Sequence, residues 1–268
     1  MKLHNILLAG LASISLASCS DYLDVDAPSK LPPEYVYTDK MEMNRALNGV
    51  YAALLSGNTY GSAFLEKFCY NTDVEFKIYE NEFALPSAYQ RFECDADASD
   101  IKKAWDALYQ GVERANMLDY GIQHSDIYDE NDKELMQMLG EVKVLRAIFY
   151  HDLIWYWGDV PYSLLPSYVV DNPVYDVAER HKILDDLIED LKGIAPKMSL
   201  SSDNSFSDRA ERISKDMCWA MIARLSMTAG GWYLKPDGNS YGKMDRLSNW
   251  KDYYKTAAEY CDSVVERT

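Results

Sequence analysis

The sequence is poor in the residues that enzymes and metal proteins depend on. Its 268 residues include 4 His. These are His4, His124, His151 and His181, too few and too scattered to predict a histidine metal site. His151 and Asp152 are adjacent, and on a helix they would point about 100° apart, so they form no joint ligand set. There is no P-loop, G-x-S-x-G or H-E-x-x-H, and the 5 Cys include no C-x-x-C pair. Positive charge is scarce as well, with 27 Lys and Arg against 43 Asp and Glu and a formal net charge of −16. Such a chain repels phosphate backbones and anionic headgroups, which excludes nucleic acid and polybasic membrane docking. No membrane-spanning helix is expected from the N-terminal run Ile6–Ala17, which is uncharged but only 12 residues long, where a hydrocarbon core needs about 20.

Aromatic residues, in contrast, are abundant, with 21 Tyr and 6 Trp, and the hydrophobic content of 48% rules out global disorder. The N-terminus is built for export. Lys2 supplies a positive start, the Ile6–Ala17 run follows, and small residues lead to Leu16-Ala17-Ser18-Cys19. That ending resembles a bacterial lipobox, in which the Cys is acylated and becomes residue one. Residues 1–18 are therefore expected to be a signal peptide, and Cys19 the lipidation site. Residues 19–42, polar and carrying Pro28, Pro32 and Pro33, read as an extended tether. Residues 43–268 read as one domain. Beyond Cys19, four cysteines allow three pairings. Cys218 and Cys261 fall on apolar helical faces and read as small buried hydrophobes, which leaves Cys69 and Cys94 as the pair able to bridge.

Apolar spacing predicts six helices. The first runs from Met43 to Leu54, with Ala46, Leu47, Val50, Tyr51 and Leu54 on one face and Gly57-Asn58 as its stop. Residues 59–99 lack a period and read as a long loop region with a short strand near Val74–Tyr79. The second helix starts at Ser99-Asp100 as N-cap and reaches Tyr120. The third runs from Asn131-Asp132 to Trp157 with Leu135, Met138, Leu139, Val142, Leu145, Phe149 and Leu153 buried, and ends at Gly158 and Pro161. The fourth covers His181–Ile194. The fifth covers Ser214–Ala229, with Met217, Ala220, Met221, Arg224 and Leu225 as its stripe. The sixth begins at Trp250 with an apolar face of Tyr254, Ala257, Ala258, Cys261 and Val265. It has no terminating residue, so the sequence is expected to be part of a longer chain. The expected fold class is mainly all-α, a tetratricopeptide-like array of helix pairs with long irregular loops.

Several ordered strings resemble the SusD/RagB family of outer-membrane nutrient-uptake lipoproteins. They are Cys19-Ser20-Asp21-Tyr22-Leu23-Asp24, Ala46-Leu47-Asn48-Gly49-Val50-Tyr51, Trp105-Asp106-Ala107-Leu108-Tyr109 and Arg114-Ala115-Asn116. The most specific is Glu141 through Leu145-Arg146-Ala147 and Tyr150 to Gly158-Asp159-Val160-Pro161. The resemblance implies a surface-exposed lipoprotein of the outer membrane, held there by its lipid alone. It would capture oligosaccharide or peptide as the lid of a SusC-type TonB-dependent transporter, with no chemistry and no cofactor. It also implies that Leu145 and Phe149 are core and that Arg146 is a partly buried cation paired to Glu141 or Asp159. Trp155, Tyr156 and Trp157 fall within the same string and read as core.

Sugar rings stack on aromatic faces while their hydroxyls take a few aimed polar groups. The Tyr79–Phe92 loop offers Tyr79, Asn81, Tyr89, Arg91 and Phe92, and its place between the first and second helices resembles where the family puts ligand-contacting loops. Paired carboxylates for glycoside hydrolysis are not indicated, because Asp185, Asp186, Glu189 and Asp190 read as a solvated helix face. Asp126, Asp129, Glu130 and Asp132 surround a helix start, where acids favour the positive end. The loop Asp203–Asp208 has carboxylates but lacks the ligand spacing of a calcium site. Two other roles compete with nutrient capture, a lipid-anchored helical-repeat scaffold for a protein partner and a surface glycosidase.

Overall fold

Three of the long helices begin at a side chain able to take an orphan N–H, as helix starts require. In the computed structural model, which describes residues 33–66, 74, 98–203, 212–238 and 242–266, Asp39 accepts from the Glu42 amide and starts α1 (Lys40–Leu54). Asp132 accepts from the Glu134 and Leu135 amides and starts α3 (Lys133–Trp157). Ser214 accepts from the Met217 amide and starts α5 (Lys215–Gly230). The Asp39 cap explains why α1 begins before Met43. The other three are α2 (Ser99–Gln123), α4 (Arg180–Ile194) and α6 (Trp250–Val265). Ser99 is the first helical residue of α2 and not its cap, a place taken by Ala98 with no side-chain bond. At α4 the cap comes from elsewhere in the chain, since the Arg180 amide donates to Asp159 Oδ1 at 3.2 Å.

The chain divides into residues 1–35 and 36–268, and the architecture is that of the second unit. It is mainly helical, and neighbouring helices pack as pairs, α2 on α3, α4 on α5 and α5 on α6. Two small antiparallel hairpins accompany them, β1 (Val160–Pro161) with β2 (Val177–Ala178) and β3 (Tyr233–Lys235) with β4 (Lys243–Asp245). Helix α3 is the axis, touching α1, α2, α4 and α5. It is apolar nearly all round, as a helix packed on every side must be. Leu145 and Phe149 are fully buried, as expected. At the α2–α3 crossing, a Cβ on Gly111 would lie 2.5 Å from the Phe149 ring, so only glycine permits that approach.

The string expected to be structural is a set of clamps around α3. Arg146 is 1% exposed, with Nη1 at 2.8 Å from Asp119 Oδ2 and Nη2 at 2.7 Å from Asp190 Oδ2. Its Nη1 also donates to Asn116 Oδ1 at 3.0 Å. Both partners expected for Arg146 are engaged elsewhere. Glu141 accepts from Arg212 Nε at 2.6 Å and from the Tyr51 hydroxyl at 2.7 Å, and Asp159 accepts from Arg180 Nε at 2.8 Å. Consequently α4 does not present a wholly solvated acidic face, because Asp190 joins this buried cluster, and Asp185 accepts from the Tyr253 hydroxyl of α6. Burial works to raise the Asp190 carboxyl, but Arg146 and Lys143 together hold it below the usual range. Tyr150 donates to the Ser163 carbonyl at 2.8 Å, and Tyr109 to the Pro161 carbonyl at 2.7 Å. Gly158 turns the chain out of α3 at φ +79°, where a Cβ would lie 2.3 Å from the Arg180 guanidinium.

Three expectations about faces change. On α5 the buried side is Cys218, Met221, Ile222, Leu225, Ser226 and Ala229, and Met217, Ala220 and Arg224 point outward. Cys218 is buried but Cys261 is exposed. On α6 only Ala257 is buried, and Tyr254, Ala258, Cys261 and Val265 are exposed. Among the described residues, no helix is long and apolar enough to cross a membrane.

Candidate functional site

A cleft of about 1000 Å³ opens at the C-terminal end of α3. Its floor is His151, Asp152, Ile154, Trp155 and Tyr156 of α3. The outward side of α5 forms one wall through Ala220, Ala223, Arg224, Met227 and Thr228, and the Gly231–Leu234 segment continues it. The end of α6 contributes Cys261, Val264 and Val265, and Tyr60 and Phe64 close the far side. Trp155 is 68% exposed, Trp232 66% and Tyr156 40%. Trp155 and Tyr156 are therefore not core, as their place in the structural string had implied. They lie in the last turn of α3, where Trp157 turns back to pack edge-on to Trp105, with ring centroids 5.3 Å apart.

The rings are held in place from behind. Phe64 packs on Tyr156 at 5.1 Å, and the His151 ring lies nearly parallel to Trp155 at 6.0 Å. Arg246 packs between the β3–β4 hairpin and α6. Its guanidinium carbon is 3.7 Å from the Trp250 ring centroid, 5.0 Å from Tyr254 and 5.9 Å from Trp232, and its Nε donates to the Gly230 carbonyl at 2.7 Å. Cation–π contact of this kind fixes the turn that presents Trp232. Arg180 lies 5.1 Å over the Tyr233 ring.

The polar groups of the cleft are few and aimed. Asp152 is 5% exposed and accepts from the Tyr60 hydroxyl at 3.1 Å through Oδ1, while its buried Oδ2 has no partner. An unsatisfied buried carboxylate oxygen is costly and leaves acceptor capacity at the cleft floor. Burial and the neighbouring Asp152 charge raise the Tyr60 hydroxyl well above its usual value, so Tyr60 stays a donor. His151 Nε2 lies 3.0 Å from Thr228 Oγ1, a pairing that superficially resembles a nucleophile and its base. The Thr228 hydroxyl, however, donates to the Arg224 carbonyl at 3.0 Å, a bond within its own helix that holds its proton away from the ring. His151 Nδ1 is 3.9 Å from Asp152 Oδ1, beyond hydrogen-bond reach. The arrangement does not make the proton relay that nucleophilic catalysis requires. Among the described residues, no three of His, Cys, Asp and Glu converge as metal ligands do.

Cys19, the loop residues Tyr79, Asn81, Tyr89, Arg91 and Phe92, the pair Cys69 and Cys94, and the strand expected at Val74–Tyr79 apart from Val74 lie outside the described residues. So does the Asp203–Asp208 loop beyond Asp203. Sequence reading missed the cleft. The available signal was Trp155-Tyr156 in the last turn of one helix together with Trp232-Tyr233 just past the Gly230-Gly231 end of another.

Comparison with known proteins gives a consistent neighbourhood. Residues 21–227 match the profile of the SusD-like family described as "Starch-binding associating with outer membrane". SusD-like protein P25 of Formosa agariphila is 24% identical over 275 positions, which cover 99% of this chain and 51% of that protein. Among solved structures, a SusD homologue from Bacteroides thetaiotaomicron superposes with a TM-score of 0.69 at 19% identity, over 87% of this chain and 42% of that one. A laminarin-binding SusD-like protein does so with a TM-score of 0.59 at 19% identity, over 72% and 41%. The chain thus spans about half the length, or less, of the curated relatives it matches.

Proposed function

Because the chain belongs to the SusD-like family, we propose that it is a nutrient-binding lipoprotein of the outer membrane, capturing oligosaccharide and acting as the lid of a SusC-type TonB-dependent transporter. In this reading residues 1–18 are removed, Cys19 carries the lipid, residues 19–42 tether the protein and residues 43–268 bind. Binding proceeds without chemistry. The observation that carries it is the cleft at the end of α3, where exposed Trp155, Tyr156 and Trp232 surround a small number of directed polar groups. Indole and phenol faces take the C–H faces of pyranose rings, while Asp152 and Thr228 take hydroxyls. The loop residues Tyr79, Asn81, Tyr89, Arg91 and Phe92, aromatic and polar in the same way, are proposed as further ligand contacts.

Titration of intrinsic tryptophan fluorescence with a panel of neutral and acidic oligosaccharides tests this. At least one sugar should bind, and Trp155→Ala or Trp232→Ala should each cost more than ~1 kcal/mol of binding without lowering the melting temperature. Absence of binding across the panel, or binding indifferent to both substitutions, would overturn the reading. A second reading, a scaffold that binds a protein partner, is favoured by the aliphatic share of the cleft, where Met227, Leu234 and Val265 are 56%, 51% and 71% exposed. It predicts that the sugar panel fails while a transporter-free protein complex co-purifies and is lost in Leu234→Asp.

A further inference from the structure

Arg224 has no role in the clamps around α3. Among the described residues its guanidinium has no hydrogen-bond or ion-pair partner. Every other described arginine has its own on a carboxylate or a carbonyl. In a chain with 43 acidic and 27 basic residues a carboxylate partner is easy to find, so a guanidinium left open in the cleft stands out. Its surroundings on α5 leave room beside it. Ala220, one turn earlier, shares its helix face and lines the same wall with only a methyl group, as does the buried neighbour Ala223. Its charge reaches across to Tyr60, whose hydroxyl is raised chiefly by burial and pulled the other way by Arg224.

We infer that Arg224 makes the cleft selective for oligosaccharides bearing a ring carboxylate, that is uronic-acid residues, over neutral ones. The inference rests on the cleft being a sugar site. A planar guanidinium matches a carboxylate with two parallel hydrogen bonds, and the exposed faces of Trp155 and Trp232 stack the ring that carries it. Within the cleft the opposing Asp152 carboxylate is buried in the floor and bonded by the Tyr60 hydroxyl, and the negative charge of the rest of the molecule opposes approach at long range. At physiological salt it is screened beyond about 8 Å, whereas the pair forms at contact.

The matched probes are a galacturonate tetramer and its methyl ester, which share a backbone and differ in charge, titrated into the full chain by calorimetry. The free acid should bind about tenfold or more tighter than the ester, as a charge-assisted pair implies. The preference should fall to parity in Arg224→Gln and survive in part in Arg224→Lys. It should also shrink as salt rises. Equal affinity of the wild type for acid and ester, or a preference that persists in Arg224→Gln, overturns the inference. A sulfated galactan tetramer preferred over the galacturonate would overturn the carboxylate assignment. If only neutral sugars bind, with dependence on Trp155, the sugar site stands and this inference alone fails. If no sugar of either kind binds, both fail.

Discussion

Arg146 and its carboxylates act as one unit, and their chemistry sets how the core responds to mutation and to acid. With 1% of its side chain exposed, the guanidinium depends wholly on Asp119, Asp190 and Asn116. Removing one partner of a buried pair leaves the other uncompensated, so Arg146→Ala should lower the unfolding free energy by about 3–5 kcal/mol in urea titration. The native Asp190 carboxyl lies below its ordinary value. Its contribution to stability is therefore complete above the unfolded value of about 3.9 and is lost as pH falls from there toward the native value. Stability measured between pH ~5 and ~2 should drop less steeply in Asp190→Asn than in the wild type. Gly111→Ala forces a methyl against Phe149 and should cost about 1–3 kcal/mol, partly recovered in the double variant with Phe149→Leu. The need of Arg146 for an anion was legible in the sequence. Its identity was not, because the nearest candidate, Glu141, is claimed by Arg212 from 71 residues away.

At the scale of elements, α3 and α6 mark the two extremes. Most of α3 is buried, and α6 buries only Ala257 while Tyr253 and Tyr260 rest on the core. Native-state hydrogen exchange should find the Leu135–Leu153 amides opening only with the whole molecule and those of α6 opening locally with less free energy. Uniform protection of both would show that α6 is held by more than its visible packing. Helix positions were readable because the 3.6-residue period and the caps Asp132 and Ser214 are local signals. The facing of α5 was not, because that helix is apolar on several sides. Met217 and Ala220 suit a core by hydropathy and Arg224 falls in step with them, yet Cys218 and Ser226 occupy it. Three neighbours, α3, α4 and α6, select which stripe is covered.

For the molecule as a whole, the proposed arrangement separates holding from binding. One acyl chain binds membranes marginally and several bind durably, so in cell fractionation Cys19→Ala should move the protein from the membrane pellet to the soluble fraction. A variant that still sediments would argue against the lipid anchor. Sugar binding should be unchanged by that substitution, because the cleft is built from residues beyond Tyr60 alone.

Segments whose information is local could be taken from the sequence alone. The helices, the mainly α class and the family strings each rest on a spacing of a few residues. The E-x-x-x-L-R-A-x-x-Y and G-D-V-P pattern marked the buried axis correctly, although not the partners of its charges. The cleft was settled only by tertiary structure. Trp155 and Tyr156 sit on the same helix as Leu145 and Phe149 and look like more core. Their neighbour Trp157 packs on Trp105 of α2 while they stay exposed, and Arg246 and the β3–β4 hairpin bring Trp232 from far along the chain to the same cleft. Whether an aromatic ring is core or platform depends on what packs over it, and no local pattern encodes that.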